Sequence, residues 1–111
     1  MAYRSKYGNE KIRYDGEIFD SKLEFYRWID LKILQKAGKI ENLKRQVKIP
    51  LIEKSEYGRE ISYIADFAYQ EHGQLMIEDT KSKATKTPLY RLKKRLVAEK
   101  YGIIIKEVEK Q

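Results

Sequence analysis

Apolar and polar residues alternate in short bursts along this chain, and two of those bursts are separated by only a turn. From about Ile61 to Tyr69 and from about Gln74 to Lys81 the pattern predicts two strands. Between them Glu71-His72-Gly73-Gln74 has the chemistry of a tight hairpin, with His72 and Gly73 as a two-residue loop. Glu71 then faces Gln74, and counting outward along the ladder sets Asp66 opposite Asp79. Strand alternation puts Lys81 on the face of Asp79, together with Ile64, Ala68, Leu75 and Ile77. It puts Ile61, Tyr63, Ala65, Phe67, Tyr69, Met76 and Glu78 on the other face. Strands apolar on both faces belong in the middle of a sheet.

The same reading extends to the rest of the chain. Lys11 to Phe19 alternates around Asp15-Gly16, a hairpin signal, while the first ten or so residues show no period and are expected to form a loose arm. Asp20 or Ser21 caps a helix that runs to about Ala37, with Gly38 as its stop. Leu23, Tyr26, Ile29, Ile33 and Ala37, adjoined by Leu34, make its predicted inner side. Gln46 to Ile52 reads as a strand through Val47, Ile49 and Leu51, and Pro50 places it at an edge or near its end. Lys54 to Arg59 is a polar turn. Thr87-Pro88 opens a second helix with Leu89, Leu92 and Leu96 as its apolar stripe. Gly102 closes that helix, and Ile103 to Val108 is a last strand, the return of a β-α-β crossover. The fold class is α/β, one domain over residues 1–111, ordered hairpin, α, β, β, β, α, β, with its core at about 18–109.

Composition narrows the chemistry. With 111 residues the chain can bury one core. No cysteine and one histidine remove disulfides, thiolate catalysis and cysteine-based zinc sites. His72, the lone histidine, reads as a loop residue at a turn tip. A metal here is expected to be a hard, oxygen-preferring ion, Mg²⁺ or Mn²⁺. No apolar run is long enough for a membrane span and the N-terminus lacks a signal-peptide core, so a cytoplasmic protein is expected.

The net charge is +7, and residues 81–100 account for all of it, with eight bases against the single acid Glu99. A basic stripe of this kind attracts polyanions. Lys83, Lys86, Arg91, Lys94 and Arg95 are expected to hold DNA phosphates, contacts that position a duplex without reading its sequence. The nine tyrosines offer base stacking, although most suit core or half-buried strand positions better.

Two carboxylates facing each other across a ladder repel. A divalent cation between Asp66 and Asp79 turns that cost into a binding site, and Lys81 beside them completes the layout of a metal-dependent phosphodiesterase. Lys81 is expected to orient the attacking water or offset charge developing on phosphorus. The plainer alternative makes the aspartates solvated charges on an exposed hairpin, with Lys81 paired to one of them. A single bulge would also turn one aspartate to the other face.

This order of elements, with Asp66 and Asp79-Thr80-Lys81 on the central hairpin, resembles the PD-(D/E)XK nuclease superfamily and its restriction-endonuclease-like αβββαβ core. The family motif is an aspartate ending one core strand, then an acid, any residue and lysine on the next. Ala65 stands where the family often has proline. The resemblance implies that Glu24, in Phe19-Asp20-Ser21-Lys22-Leu23-Glu24, completes the metal site. Ser21-x-x-Glu24 is also a capping box, so both roles stay open. It further implies a polar catalytic neighbour at Gln46, as in several phage and transposon nucleases, and a carbonyl ligand from Thr80. The small size and the Ser-Lys-Leu-Glu entry look most like small phage-encoded endonucleases, with archaeal Holliday-junction resolvases as more distant relatives. The implied function is a Mg²⁺- or Mn²⁺-dependent DNA endonuclease, selective for branched or junction DNA, with a homodimer as the usual arrangement and the host cytoplasm as its setting. The alternatives are a non-catalytic nucleic-acid-binding module and a partner-dependent nuclease subunit of a phage or transposition complex.

Overall fold

The computed structural model describes residues 2–4, 10–81 and 85–109; Lys83 lies outside them. Strands β1 (Ala2–Arg4), β2 (Glu10–Tyr14) and β3 (Glu17–Phe19) form a small antiparallel sheet in that order. The turn from β2 to β3 needs positive φ at both central positions, and Asp15 (φ 52°) and Gly16 (φ 78°) supply it. The N-terminal stretch is therefore not simply a loose arm, because Ala2–Arg4 pairs with β2 through Ala2↔Ile12 and Arg4↔Glu10.

Helix α1 (Lys22–Lys36) starts at Ser21, whose hydroxyl accepts from the Glu24 amide at 3.1 Å. It ends where Gly38 turns left-handed at φ 77°. Its inner face differs from the predicted one. Glu24 and Leu31 are buried, with Trp28 and Leu34 packed beside them, whereas Tyr26 and Ile33 are 59% and 61% exposed. The inner face carries the charged Glu24 and Arg27, and apolar spacing alone turns such a helix the wrong way.

The main sheet runs β4 (Glu41–Ile52), β5 (Ile61–Glu71), β6 (Gln74–Lys81) and β7 (Lys106–Glu109) in that spatial order. Neighbours are antiparallel except β6 and β7, which run parallel. Helix α2 (Pro88–Tyr101) makes the crossover between those two. The order α, β, β, β, α, β is the predicted one, and β4 is an edge strand, as Pro50 requires. Strand β7 begins three residues later than expected. Ile105, just ahead of it, is nevertheless buried.

Each helix covers its own core. Ile49, Leu51, Tyr63, Ala65, Ala68 and Ile77 pack with Tyr90 and Val97 of α2, while Phe67 and Tyr69 pack with Leu31 and Ile40 on the α1 side. Tyr63 meets the Tyr90 ring at 6.1 Å, and Phe67 stacks on Trp28 at 6.0 Å. Residues of one parity on β5 therefore serve opposite faces, and the face reverses at Asp66. Strand β4 reverses beside it. Arg45 lies over the Phe19 ring on the α1 side, Val47 packs on the α2 side, and Gln46 between them sits at φ 51°. The predicted regular alternation of β5 is corrected accordingly: Phe67 and Tyr69 do not share a face with Tyr63 and Ala65.

Helix α2 is capped by Thr87, whose hydroxyl accepts from the Tyr90 amide at 3.1 Å, and it stops at Gly102 with φ 68°. Tyr90 and Val97 face inward, with Leu96 packed alongside. Leu89 and Leu92, expected on the apolar stripe, are 61% and 54% exposed. No helix among the described residues is long and apolar enough to cross a membrane.

Candidate metal centre

The β5–β6 ladder runs from Glu71↔Gln74 to Phe67↔Glu78 and stops there, one step short of Asp66 and Asp79. Side chains take over at that point. The Asp66 amide donates to Asp79 Oδ1 at 2.9 Å. Thr80 donates both its amide and its hydroxyl to Asp66 Oδ2, each at 2.8 Å. Strand β6 now pairs with β7 instead, with Asp79 opposite Glu107 and Lys81 opposite Glu109. The two carboxylates thus sit in the fork where β6 leaves β5.

Asp79 is 2% exposed, and its Oδ2 is buried with no hydrogen-bond partner. The Lys81 ammonium stands 4.0 Å from that oxygen. Burial pushes the Asp79 carboxyl up to about 6, against the pull of the Asp66 amide and the Lys81 charge. Burial also raises Asp66, outweighing the two bonds from Thr80. A buried carboxylate oxygen without a donor is costly. The donors gathered here are oxygens, the set that suits Mg²⁺ or Mn²⁺, so Asp66 and Asp79 fit such an ion.

Glu24 is differently engaged. Its carboxylate accepts from the Asp20 amide at 3.2 Å, from Arg45 at 3.2 Å and from Gln46 Nε2 at 3.1 Å. With the Ser21 bond this resembles a capping box, except that the returning bond to Glu24 comes from the Asp20 amide rather than from that of the cap residue Ser21. Burial, reinforced by the charge of Asp66, still pushes Glu24 up to about 7. Among the described residues no group of three or more His, Cys, Asp or Glu is gathered at metal-holding spacing. The structure brings Asp66 and Asp79 together and leaves Glu24 on Arg45 and Gln46. Gln46 thereby orients Glu24. Thr80 spends its amide and hydroxyl on fixing Asp66.

Lys81 lies over the Tyr90 ring, 4.2 Å from its centre. The Tyr90 hydroxyl donates to Glu107 at 2.7 Å, and Lys94 and Lys86 approach the same carboxylate at 3.2 and 3.3 Å. These partners, Tyr90 foremost, hold the Glu107 carboxyl down at about 2. Burial raises the Tyr90 phenol, and the hydrogen bond to Glu107 adds to it. Lys86, Arg91, Lys94 and Arg95 line one pocket with Tyr90 and Glu107, about 380 Å³ in volume. Four of the five bases expected to meet phosphate therefore converge, and the fifth, Lys83, lies outside the described residues.

Glu78 points away from this site, as expected. It is fully buried, takes two 2.7 Å bonds from Arg27, and is bonded by the Tyr69 hydroxyl. Burial alone would raise its carboxyl, but Arg27 and Tyr69 bring it below the ordinary value. His72 is exposed at its turn, with φ 52°.

Sequence reasoning missed Tyr90, Glu107 and Arg45 as parts of this neighbourhood. Tyr90 carried a signal, three residues after the Thr87 cap and inside a basic run. Glu107 carried none, because its place beside Asp79 depends on a parallel register between strands separated by a helix.

A family model described as "Protein of unknown function (DUF1064)" matches residues 4–109. The match spans nearly the whole chain, which therefore belongs to that family. Neither a curated protein nor a solved structure matches it.

Proposed function

We propose that this member of the DUF1064 family is a divalent-metal-dependent DNA endonuclease with a restriction-endonuclease-like core. The observation that carries the reading is the buried, partnerless Oδ2 of Asp79 beside Asp66, within 4.0 Å of the Lys81 ammonium. A structural ion pair would have no need to strand a carboxylate oxygen inside a strand fork.

Asp66 and Asp79 would hold the ion, which supplies charge neutralisation at the phosphodiester and acidity for the attacking water. Thr80 fixes the orientation of Asp66 through two bonds. Lys81, steadied by the Tyr90 ring, offsets charge developing on phosphorus. Arg45 and Gln46 hold the buried Glu24 in the neighbourhood of Asp66, where its carboxylate adds negative potential toward a cation. Lys86, Arg91, Lys94 and Arg95 hold backbone phosphates, contacts that position without reading sequence. Selection then falls to DNA shape, and branched or junction DNA is the proposed substrate class. A homodimer would set two such centres on opposite strands.

The test is cleavage of labelled duplex, single-strand, flap and four-way-junction DNA in Mg²⁺, Mn²⁺ or EDTA, by wild type and Asp79→Ala. Metal-dependent cutting that disappears in the variant is expected. Tight, salt-sensitive binding with no cutting under any metal would sink the stand-alone enzyme. It would favour a non-catalytic nucleic-acid-binding module.

A further inference from the structure

The pocket between α2 and β7 already contains an anion of its own. Glu107 lines it and is bonded by Tyr90 and approached by Lys86 and Lys94. Lys86 is also paired with Glu109 on the same strand. Arg91 and Arg95 line the same pocket and make no ion pair among the described residues. A carboxylate held by one hydroxyl and two ammonium groups, in a pocket that two arginines also line, has surroundings that would suit a phosphate oxygen equally well.

We propose that Glu107 is a resident stand-in for a DNA phosphate. The pocket receives one backbone phosphodiester next to the metal centre, and the incoming phosphate takes Lys86 and Lys94 over from Glu107. This rests on the reading of the protein as one that binds DNA. Tyr90 places the pocket, because its ring carries the Lys81 ammonium and its hydroxyl bonds Glu107. One aromatic ring therefore separates the received phosphate from the catalytic lysine. The arrangement keeps the two lysines paired until a polyanion arrives, and it weakens binding to any anion too poor in charge to compete with a carboxylate already in place.

Removing the internal competitor should tighten DNA binding. Affinity of a labelled duplex is measured in EDTA, so that binding is read apart from cleavage, for wild type, Glu107→Gln, Lys94→Gln and the double variant. Glu107→Gln is expected to bind about tenfold tighter, with a salt slope steeper by roughly one phosphate contact. Lys94→Gln is expected to bind more weakly, and the gain from Glu107→Gln should shrink markedly in the double variant. Unchanged or weaker binding by a folded Glu107→Gln overturns the proposal, as does a full gain that survives the loss of Lys94, which would mark a general charge effect. Should Glu107→Gln not fold, Glu109→Gln on the exposed rim decides the question through Lys86: about threefold tighter binding is expected, and no gain overturns it. Cleavage in Mg²⁺ is scored separately. A wild type that cuts while Glu107→Gln gains nothing refutes the stand-in and spares the nuclease. A gain in binding without cutting does the reverse.

Discussion

The buried Oδ2 of Asp79, which has no hydrogen-bond partner, costs the fold stability. Replacing Asp79 with asparagine keeps an acceptor for the Asp66 amide and removes a buried charge that lacks a donor. Asp79→Asn is therefore expected to melt at the same temperature as wild type in EDTA or a few degrees higher, while losing at least about 100-fold in cleavage rate. Thermal melts and initial rates on one preparation check both. The acids also set a pH profile. Asp79 and Glu24 have folded values raised to about 6 and about 7. The folded state thus binds their protons more tightly than the unfolded chain, and ion-free stability falls as pH rises from the ordinary carboxylate range, about 4, to those raised values. Glu107, held near 2, works oppositely: its contribution is complete above the ordinary carboxylate range and is lost as pH falls toward 2. Melting temperature in EDTA is therefore expected to peak near the ordinary carboxylate range, about pH 4, and to fall from there toward pH 7. Added Mg²⁺ or Mn²⁺ should raise it more at pH 8 than at pH 5, since the ion needs both carboxylates deprotonated. Equal gains at the two pH values would count against Asp66 and Asp79 as the ligands.

Among the elements, those with local punctuation were readable in the sequence and those set by tertiary contact were not. Asp15-Gly16, His72-Gly73, Ser21, Thr87-Pro88 and Gly102 mark turns and caps through backbone chemistry that does not depend on the rest of the fold. The hairpin register followed from its turn as far as Phe67↔Glu78, whereas the meeting of Asp66 and Asp79 lies beyond the ladder's end and is made by a side chain. The paired reversal at Gln46 and Asp66 was hidden, because period-two reasoning assumes a regular strand. The inner face of α1 was hidden for a related reason. It is built partly from ions, and Arg27 reaches the fully buried Glu78 through two 2.7 Å bonds. That clamp joins α1 to β6. Arg27→Ala, which leaves Glu78 buried beside only Tyr69 and the more distant Lys106, is expected to cost about 3–5 kcal/mol in urea unfolding. Gln46→Val tests the reversal itself: a β-branched side chain at φ 51° should cost about 1–2 kcal/mol.

For the molecule as a whole, the net charge of +7 comes from one segment that begins at Lys81 and continues through α2. Affinity for DNA should then fall linearly on a log–log plot against salt, and Arg91→Gln and Arg95→Gln should each flatten the slope by up to about 0.9 without changing preference among sequences. A change in sequence preference would point to base contacts in place of phosphate contacts. The fork where β6 leaves β5 has one more effect, on what the protein lets an observer see. The Asp66 and Thr80 amides end on the two carboxylates rather than on strand carbonyls. Their resonances become a built-in indicator: titrating Mg²⁺ should shift these two peaks first and farthest, reporting occupancy of the centre with no substrate in the tube.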